Sequence, residues 1–241
     1  MRFGGLSAPP FVEARVGPAR VWCSGRPHGN VGDHVGDDPD VVARNRAALG
    51  ASTSGAGAPA WVWLRQVHGN EVYVADASPP PGREPAPVAD AVVTATRGLT
   101  LAIVTADCAP LVIACDDAVG VVHAGHRGLA NGVIEAAVAR LRDIGTGDVR
   151  AFLGPCIRAP RYEFGADALA ELVAQFGTMV EGRTRAGRPA LDIAAAIGVV
   201  LERVGVVPFA DCGICTADDG AYFSYRRDGE TGRQATIAAL P

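Results

Sequence analysis

The chain contains no lysine; all 22 of its basic residues are arginine. This excludes a Walker A lysine, a pyridoxal-phosphate Schiff base and a kinase-type lysine, each of which needs an ammonium that a guanidinium does not replace. Basic charge is outweighed as well. Against 26 acidic residues the net charge is −4, without the basic footprint of a nucleic-acid-binding domain. Long apolar runs are missing. The most apolar stretch, 99–115, is broken by Asp107 and Pro110 and is too short and too polar to span a membrane. The opening residues show no apolar core of a secretion signal, and Glu13 interrupts them early. The six cysteines are unevenly spaced inside apolar segments, unlike a secreted disulfide framework. Together these absences predict a cytoplasmic protein with reduced thiols, no nucleic-acid partner and no membrane, with a monomer favoured.

What is present is an ordinary globular balance, 49% hydrophobic and 20% charged, over 241 residues that suit one domain, 1–241. Residues 11–24 read as one or two short strands. Asp37-Asp38-Pro39 before VVARNRAAL predicts a capped helix that stops at Gly50. Segments 61–68 and 71–75 read as strands around a Gly69-Asn70 turn, and 76–89, with five prolines, as a surface excursion. ADAVVTA, LTLAIVTA, PLVIAC and GVVHAG, in close order between Asp90 and Gly125, read as strands buried on both faces. Asn131 to Asp143 has helical spacing, with Val133, Ala137, Val138 and Leu141 on one side. A strand at 149–154, helices at 166–176 and 192–204, and a hairpin around Asp228-Gly229 complete an α/β or α+β chain with a mixed sheet and outer helices.

His68, His123 and Cys108 all fall at ends of predicted strands, where a sheet presents side chains to a ligand. Two imidazoles and one thiolate make a three-ligand set with an open fourth position, as in catalytic zinc sites. Cys108 and His123 also read as a nucleophile and its base, and Cys108 alone as a core thiol. In HAGHRGLANG (123–132) the glycines permit close backbone approach, and Arg127 reads as an anion contact or a solvated surface group. Cys212 and Cys215 have a redox-like spacing without a second pair and read as structural. Asp37 and Asp38 read as caps. Trp61 and Trp63 read as core or rim aromatics, and Arg226-Arg227 first as part of the hairpin tip, with a phosphate contact as the alternative for two adjacent arginines near a site.

Taken together, the blocks resemble the YfiH or "laccase-domain" family. They are Ser24-Gly25-Arg26, Asn30 with HVGDDPDVVARNR (34–46), LRQVHGNEV (64–72), residues 89–114 and 120–134, LGPCI (153–157), Tyr162-Glu163-Phe164-Gly165, Cys215-Thr216 and FSYRRDGETGRQA (223–235). The resemblance implies an α/β/β/α layered sandwich with mixed sheets, similar to cytotoxic-necrotizing-factor deamidases. It implies a zinc held by His68, Cys108 and His123, with copper less favoured. It makes Cys108 and Arg26 catalytic, and Arg26, Asn30 and Arg127 binders of substrate or phosphate. The implied activity is phosphorolysis of purine nucleosides together with adenosine deamination, so the expected partners are purine nucleosides and phosphate. Alternatives are a peptidoglycan-precursor editing hydrolase, a copper polyphenol oxidase and a non-enzymatic metal-binding partner protein. Two positions depart from the family pattern: His126 replaces a usual Trp, and the loop after Arg26 is shortened to PHGNVGD.

Overall fold

Two mixed sheets face each other in the computed structural model, which describes residues 12–53, 60–76 and 86–241. The first runs in the order β1 (Val12–Val16), β2 (Ala19–Cys23), β13 (Gln234–Ala239), β6 (Leu99–Thr105) and β3 (Ala60–Trp63), and only the β6–β3 pair is parallel. The second runs β12 (Ala210–Asp211), β9 (Arg150–Leu153), β7 (Ala109–Ala114), β8 (Val119–Ala124), β5 (Ala91–Thr94) and β4 (Val72–Val74), and is parallel at both edges. Strands β10 (Glu181–Arg183) and β11 (Pro189–Leu191) form a separate hairpin.

Alternation along the strands sorts the side chains into layers, because successive residues point to opposite faces. Val21, Leu101 and Ile103 from the first sheet meet Val112, Val121 and Phe152 from the second. The other face of the first sheet carries Trp22, Ala102, Val104 and Ile237, which pack with Leu49 of α1 (Pro39–Thr53). The other face of the second sheet carries Leu111, Ile113, Val122 and Leu153. These pack against α3 (Val133–Ile144), α4 (Ala166–Phe176) and α5 (Ile193–Arg203). The layers are therefore α/β/β/α. Each sheet lies between a sheet and a helix layer, so its strands read as unbroken apolar runs. Each fully buried Leu, Ile or Val contributes about 1.5–3 kcal/mol.

Helix α3 buries Val133, Ala137, Val138 and Leu141, as its spacing predicts. Pro39 opens α1, and Asp38 caps it by accepting the Asp40 N–H at 2.8 Å. Gly50 does not stop that helix, which continues to Thr53. A Cβ on Gly50 would lie 3.1 Å from the Trp61 indole nitrogen, so the small residue there serves packing against β3.

Two expected hairpins are corrected. β3 and β4 do not flank a common turn; they belong to different sheets, and the chain between them crosses from one to the other. The Asp228-Gly229 pair ends a short helix, α6 (Tyr225–Asp228), capped where the Ser224 hydroxyl accepts the Arg227 N–H at 3.2 Å. β13 pairs with β2 and β6 rather than with a strand before that helix. A further short helix, α2 (His126–Ala130), follows β8 in the HAGHRGLANG segment. Most of the proline-rich excursion, 77–85, lies outside the described residues. Among the described residues no helix is long and apolar enough to cross a membrane.

Candidate metal centre

The β7–β8 register sets Pro110 opposite His123 and Ala109 opposite Ala124. Continued by one residue, it brings Cys108 level with Gly125. A Cβ at Gly125 would lie 3.2 Å from the Cys108 sulfur and 2.9 Å from the His68 ring, so this glycine leaves open the space that the two side chains share. His68 reaches that space from the crossing between the sheets, with its backbone in the left-handed region at φ 59. For a non-glycine residue this conformation costs roughly 1–2 kcal/mol.

Asp90, fully buried just before β5, offsets that cost. Its Oδ2 accepts the N–H groups of Val67 (3.1 Å) and Gly69 (2.7 Å), and its Oδ1 accepts that of His68 (2.9 Å). Oδ1 also accepts Nδ1–H of His123 at 2.8 Å. One carboxylate thus fixes the loop that carries His68 and the ring of His123, leaving Nε2 of His123 for a ligand.

The candidate ligand atoms of His68, Cys108 and His123 all lie within 4.8 Å of one another. Nε2 of His68 is 3.8 Å from the Cys108 sulfur, and the two imidazoles stand edge to face with centroids 4.8 Å apart. Two imidazoles, one thiol and the space kept by Gly125 fit one metal ion with a position left for substrate or water.

Burial raises the Cys108 thiol, but His123 and His68 outweigh it and bring the pKa down to about 6. Burial lowers His123, yet Cys108 and Asp90 outweigh that and raise it to about 9. Without metal the pair is therefore thiolate and imidazolium near neutral pH, and binding a metal releases the imidazolium proton. Iodoacetamide labelling of Cys108 in metal-free protein is expected to rise with pH and reach half its maximal rate near pH 6. Cys23, which burial pushes up to about 12, should stay unlabelled. Peptide mapping between pH 5 and 8 checks this, and an inert Cys108 at pH 7 would contradict the pairing.

A family model described as multi-copper polyphenol oxidoreductase laccase matches residues 1–241. The chain belongs to this laccase family. It is 42% identical, over 97% of its own length and 90% of the relative's, to a protein of Streptomyces coelicolor named purine nucleoside phosphorylase. The crystal structure of YlmD from Geobacillus stearothermophilus superposes with a TM-score of 0.84 at 27% identity, covering 99% of this chain and 98% of that one. Bacillus licheniformis YfiH superposes at 0.81 with 25% identity, covering 92% and 93%.

In this laccase-family chain the triad opens into a cleft of ≈ 400 Å³. Arg127, named from sequence, lines it and makes no ion pair or side-chain hydrogen bond with the described residues. Arg26 is not among the lining residues. Its guanidinium pairs with Asp228, donates to the Tyr222 carbonyl at 3.0 Å and lies over the Phe223 ring. Asn30 is buried, and its amide is spent on its own loop and on the backbone of Arg233. Nδ2 donates to Gly32 O (2.9 Å) and Asp37 (3.0 Å), and Oδ1 accepts the N–H groups of Gly32 and Arg233 (2.9 and 2.8 Å). Asn30 therefore acts on the cleft through Arg233, which lines it.

Three contributors escape sequence reasoning. Asp90 shows only as a polar residue ahead of an apolar run. Arg233 shows only as a charge after a glycine. Strand alternation predicts that Asp107 points away from Cys108. In the structure Asp107 has φ 94, so alternation fails there and both residues line the cleft. Its carboxylate accepts the Thr216 hydroxyl and the Arg226 N–H, both at 2.6 Å, which ties α6 to the cleft wall. The Thr105 hydroxyl, on the same wall, is buried with no hydrogen-bond partner among the described residues. Cys212 and Cys215 are free thiols outside the lining, and the backbone of Cys215 pairs with that of Cys156 in a single parallel β-bridge. Trp61 and Trp63 stack on each other at 5.2 Å, away from the cleft lining.

Proposed function

We propose that this protein is a zinc-dependent purine nucleoside phosphorylase that also deaminates adenosine. The observation that carries the reading is the convergence of His68, Cys108 and His123 in a cleft whose wall includes Arg127, Arg226 and Arg233. The Streptomyces coelicolor relative's name supports the choice of reaction. Zinc is favoured over a set of coppers because the described residues include all five histidines and all six cysteines, and among them only this triad gathers.

In phosphorolysis a phosphate oxygen bonds to ribose C1′ as the C1′–N9 bond breaks, giving ribose 1-phosphate and the free purine. The chain must hold a phosphate dianion beside C1′. Arg127 is uncommitted, and Arg233 is partly withdrawn from water, where a guanidinium–phosphate contact is strengthened. Both Arg226 and Arg233 are steadied by backbone carbonyls: Arg226 donates to Glu163 O at 2.7 Å and lies over Tyr162, and Arg233 donates to Thr231 O at 2.8 Å and Gly232 O at 3.1 Å. In deamination water replaces the 6-amino group of adenosine, giving inosine and ammonia. A zinc on His68, Cys108 and His123 would supply Lewis acidity and lower the pKa of a water for attack at C6. Asp90 keeps His123 in the tautomer that binds metal, and Gly125 keeps the approach clear.

The test is metal analysis of purified protein with product identification from a nucleoside mixture, with and without phosphate. Ribose 1-phosphate that forms only with phosphate supports the reading; consumption that ignores phosphate defeats the phosphorylase half. Arg127→Ala and Arg233→Ala are each expected to cost phosphorolysis about 1.5–3 kcal/mol, roughly 10- to 150-fold, while deamination falls less. Arg26→Ala should depress both reactions together, because the Arg26–Asp228 pair holds the end of α6 rather than phosphate. A selective loss of phosphorolysis in Arg26→Ala would return Arg26 to the phosphate site.

A further inference from the structure

His126 opens α2, and its ring forms part of the cleft wall. Its Nδ1 lies 3.3 Å from the Tyr162 hydroxyl, and the ring stands edge-on to Phe164 with centroids 5.2 Å apart. Tyr162 also packs edge-on against Phe164, at 5.5 Å, so the two polar rings share one apolar support. Nε2 of His126 has no hydrogen-bond partner among the described residues and is not sealed from solvent, on a residue that lines the cleft. Burial first, then the nearby charges of Arg127, His68 and Arg226, hold this imidazole below its usual pKa, and it is neutral at pH 7. Burial keeps the Tyr162 hydroxyl protonated.

A neutral imidazole carries one N–H, on either nitrogen. When the Tyr162 hydroxyl donates to Nδ1, the proton sits on Nε2 and the cleft sees a donor. When Nδ1–H donates to the Tyr162 oxygen, the cleft sees an acceptor. The phenolic hydrogen rotates, so both arrangements keep the His126–Tyr162 hydrogen bond. We propose that His126 and Tyr162 form a base-reading pair that serves both 6-oxopurines and 6-aminopurines by switching Nε2 between donor and acceptor. A 6-oxopurine offers an acceptor at position 6, and a 6-aminopurine offers a donor there. A fixed polar group that matched one would leave itself unpaired against the other, a mismatch that costs recognition sites many-fold. The inference rests on the purine reading of the cleft and adds to it how one pocket tolerates both classes of base.

The probes are the free bases adenine and hypoxanthine, whose binding is measured by calorimetry with metal-replete protein. Native protein should bind the two within about tenfold of each other. Tyr162→Phe keeps the ring but gives Nδ1 no partner. An N–H there would be stranded, so the proton stays on Nε2, and adenine should weaken relative to hypoxanthine by about tenfold or more. His126→Gln supplies an amide that turns to present either donor or acceptor and should keep the ratio near that of the native protein. An unchanged ratio in Tyr162→Phe overturns the proposal. So does failure of the native protein to bind either base, which also removes the purine reading. Binding of both bases without any phosphorolysis removes the reaction assigned above, and the ratio in Tyr162→Phe still decides the pair.

Discussion

Cys108→Ala is expected to abolish metal retention and lower both reactions on the order of a thousandfold, about 4 kcal/mol of transition-state stabilisation, with the fold kept. The three candidate ligand atoms lie within 4.8 Å of one another, so removing the sulfur leaves two imidazoles and no anionic donor. The fold should survive because Cys108 precedes β7 and takes no part in the β7–β8 ladder. Native protein should melt higher when zinc is added, since a ligand bound only by the folded state stabilises it in proportion to the logarithm of its concentration. The variant should show no such increase. Cys108→Asp separates the two roles open to this residue. A carboxylate still binds zinc but is a different nucleophile. Partial activity with bound metal assigns Cys108 to the metal, whereas an isolable adduct on the native sulfur assigns it to covalent catalysis. Full activity in Cys108→Ala would dismiss the site.

Cys108 and His123 are legible in the sequence because their setting is local: each flanks an apolar strand and a small residue. What the sequence hides is partnership. LTLAIVTA and ADAVVTA are neighbours in the chain and similarly apolar, yet β6 and β5 lie in different sheets. Hydrophobic alternation says which faces are buried and carries no information on which strand is the neighbour. The same limit hides the crossing from β3 to β4, where a turn at Gly69-Asn70 looks like the tip of a hairpin. Helix α6 has four residues, too few for a 3.6-residue period to show, so its Asp-Gly end imitates a hairpin tip. Arg26 shows a further limit. A motif places a residue in a neighbourhood, but only the surroundings show that its guanidinium is held by Asp228. Asp90 was the least legible, because its work is done on backbone N–H groups more than twenty residues away.

That work makes Asp90→Asn the most informative change outside the ligand set. Each carboxylate oxygen of Asp90 receives two donors: Val67 and Gly69 N–H on Oδ2, His68 N–H and His123 Nδ1–H on Oδ1. An asparagine is almost the same size but has only one acceptor oxygen. Its NH₂ must face one pair of donors, leaving two N–H groups unmet. If the amide nitrogen takes the Oδ1 side, His123 loses the acceptor that fixes its tautomer, and the His68 N–H is stranded. If it takes the Oδ2 side, the N–H groups of Val67 and Gly69 are stranded, and the left-handed turn at His68 loses its brace. Either way the cost is about 2–4 kcal/mol, from two partly buried donors at about 1–2 kcal/mol each, the lower part of the range for stranded donors. At this chain length that lowers Tm by roughly 4–16 °C. Metal affinity should fall about 10- to 100-fold, because the change reorients ligands without removing one. A further gain in zinc concentration should therefore restore activity in Asp90→Asn, whereas no concentration restores Cys108→Ala. Parallel zinc titrations of activity and of melting temperature in the two variants check this. If Asp90→Asn holds zinc as tightly as the native protein, the carboxylate shapes the loop alone, and His123 keeps its orientation from the β8 backbone.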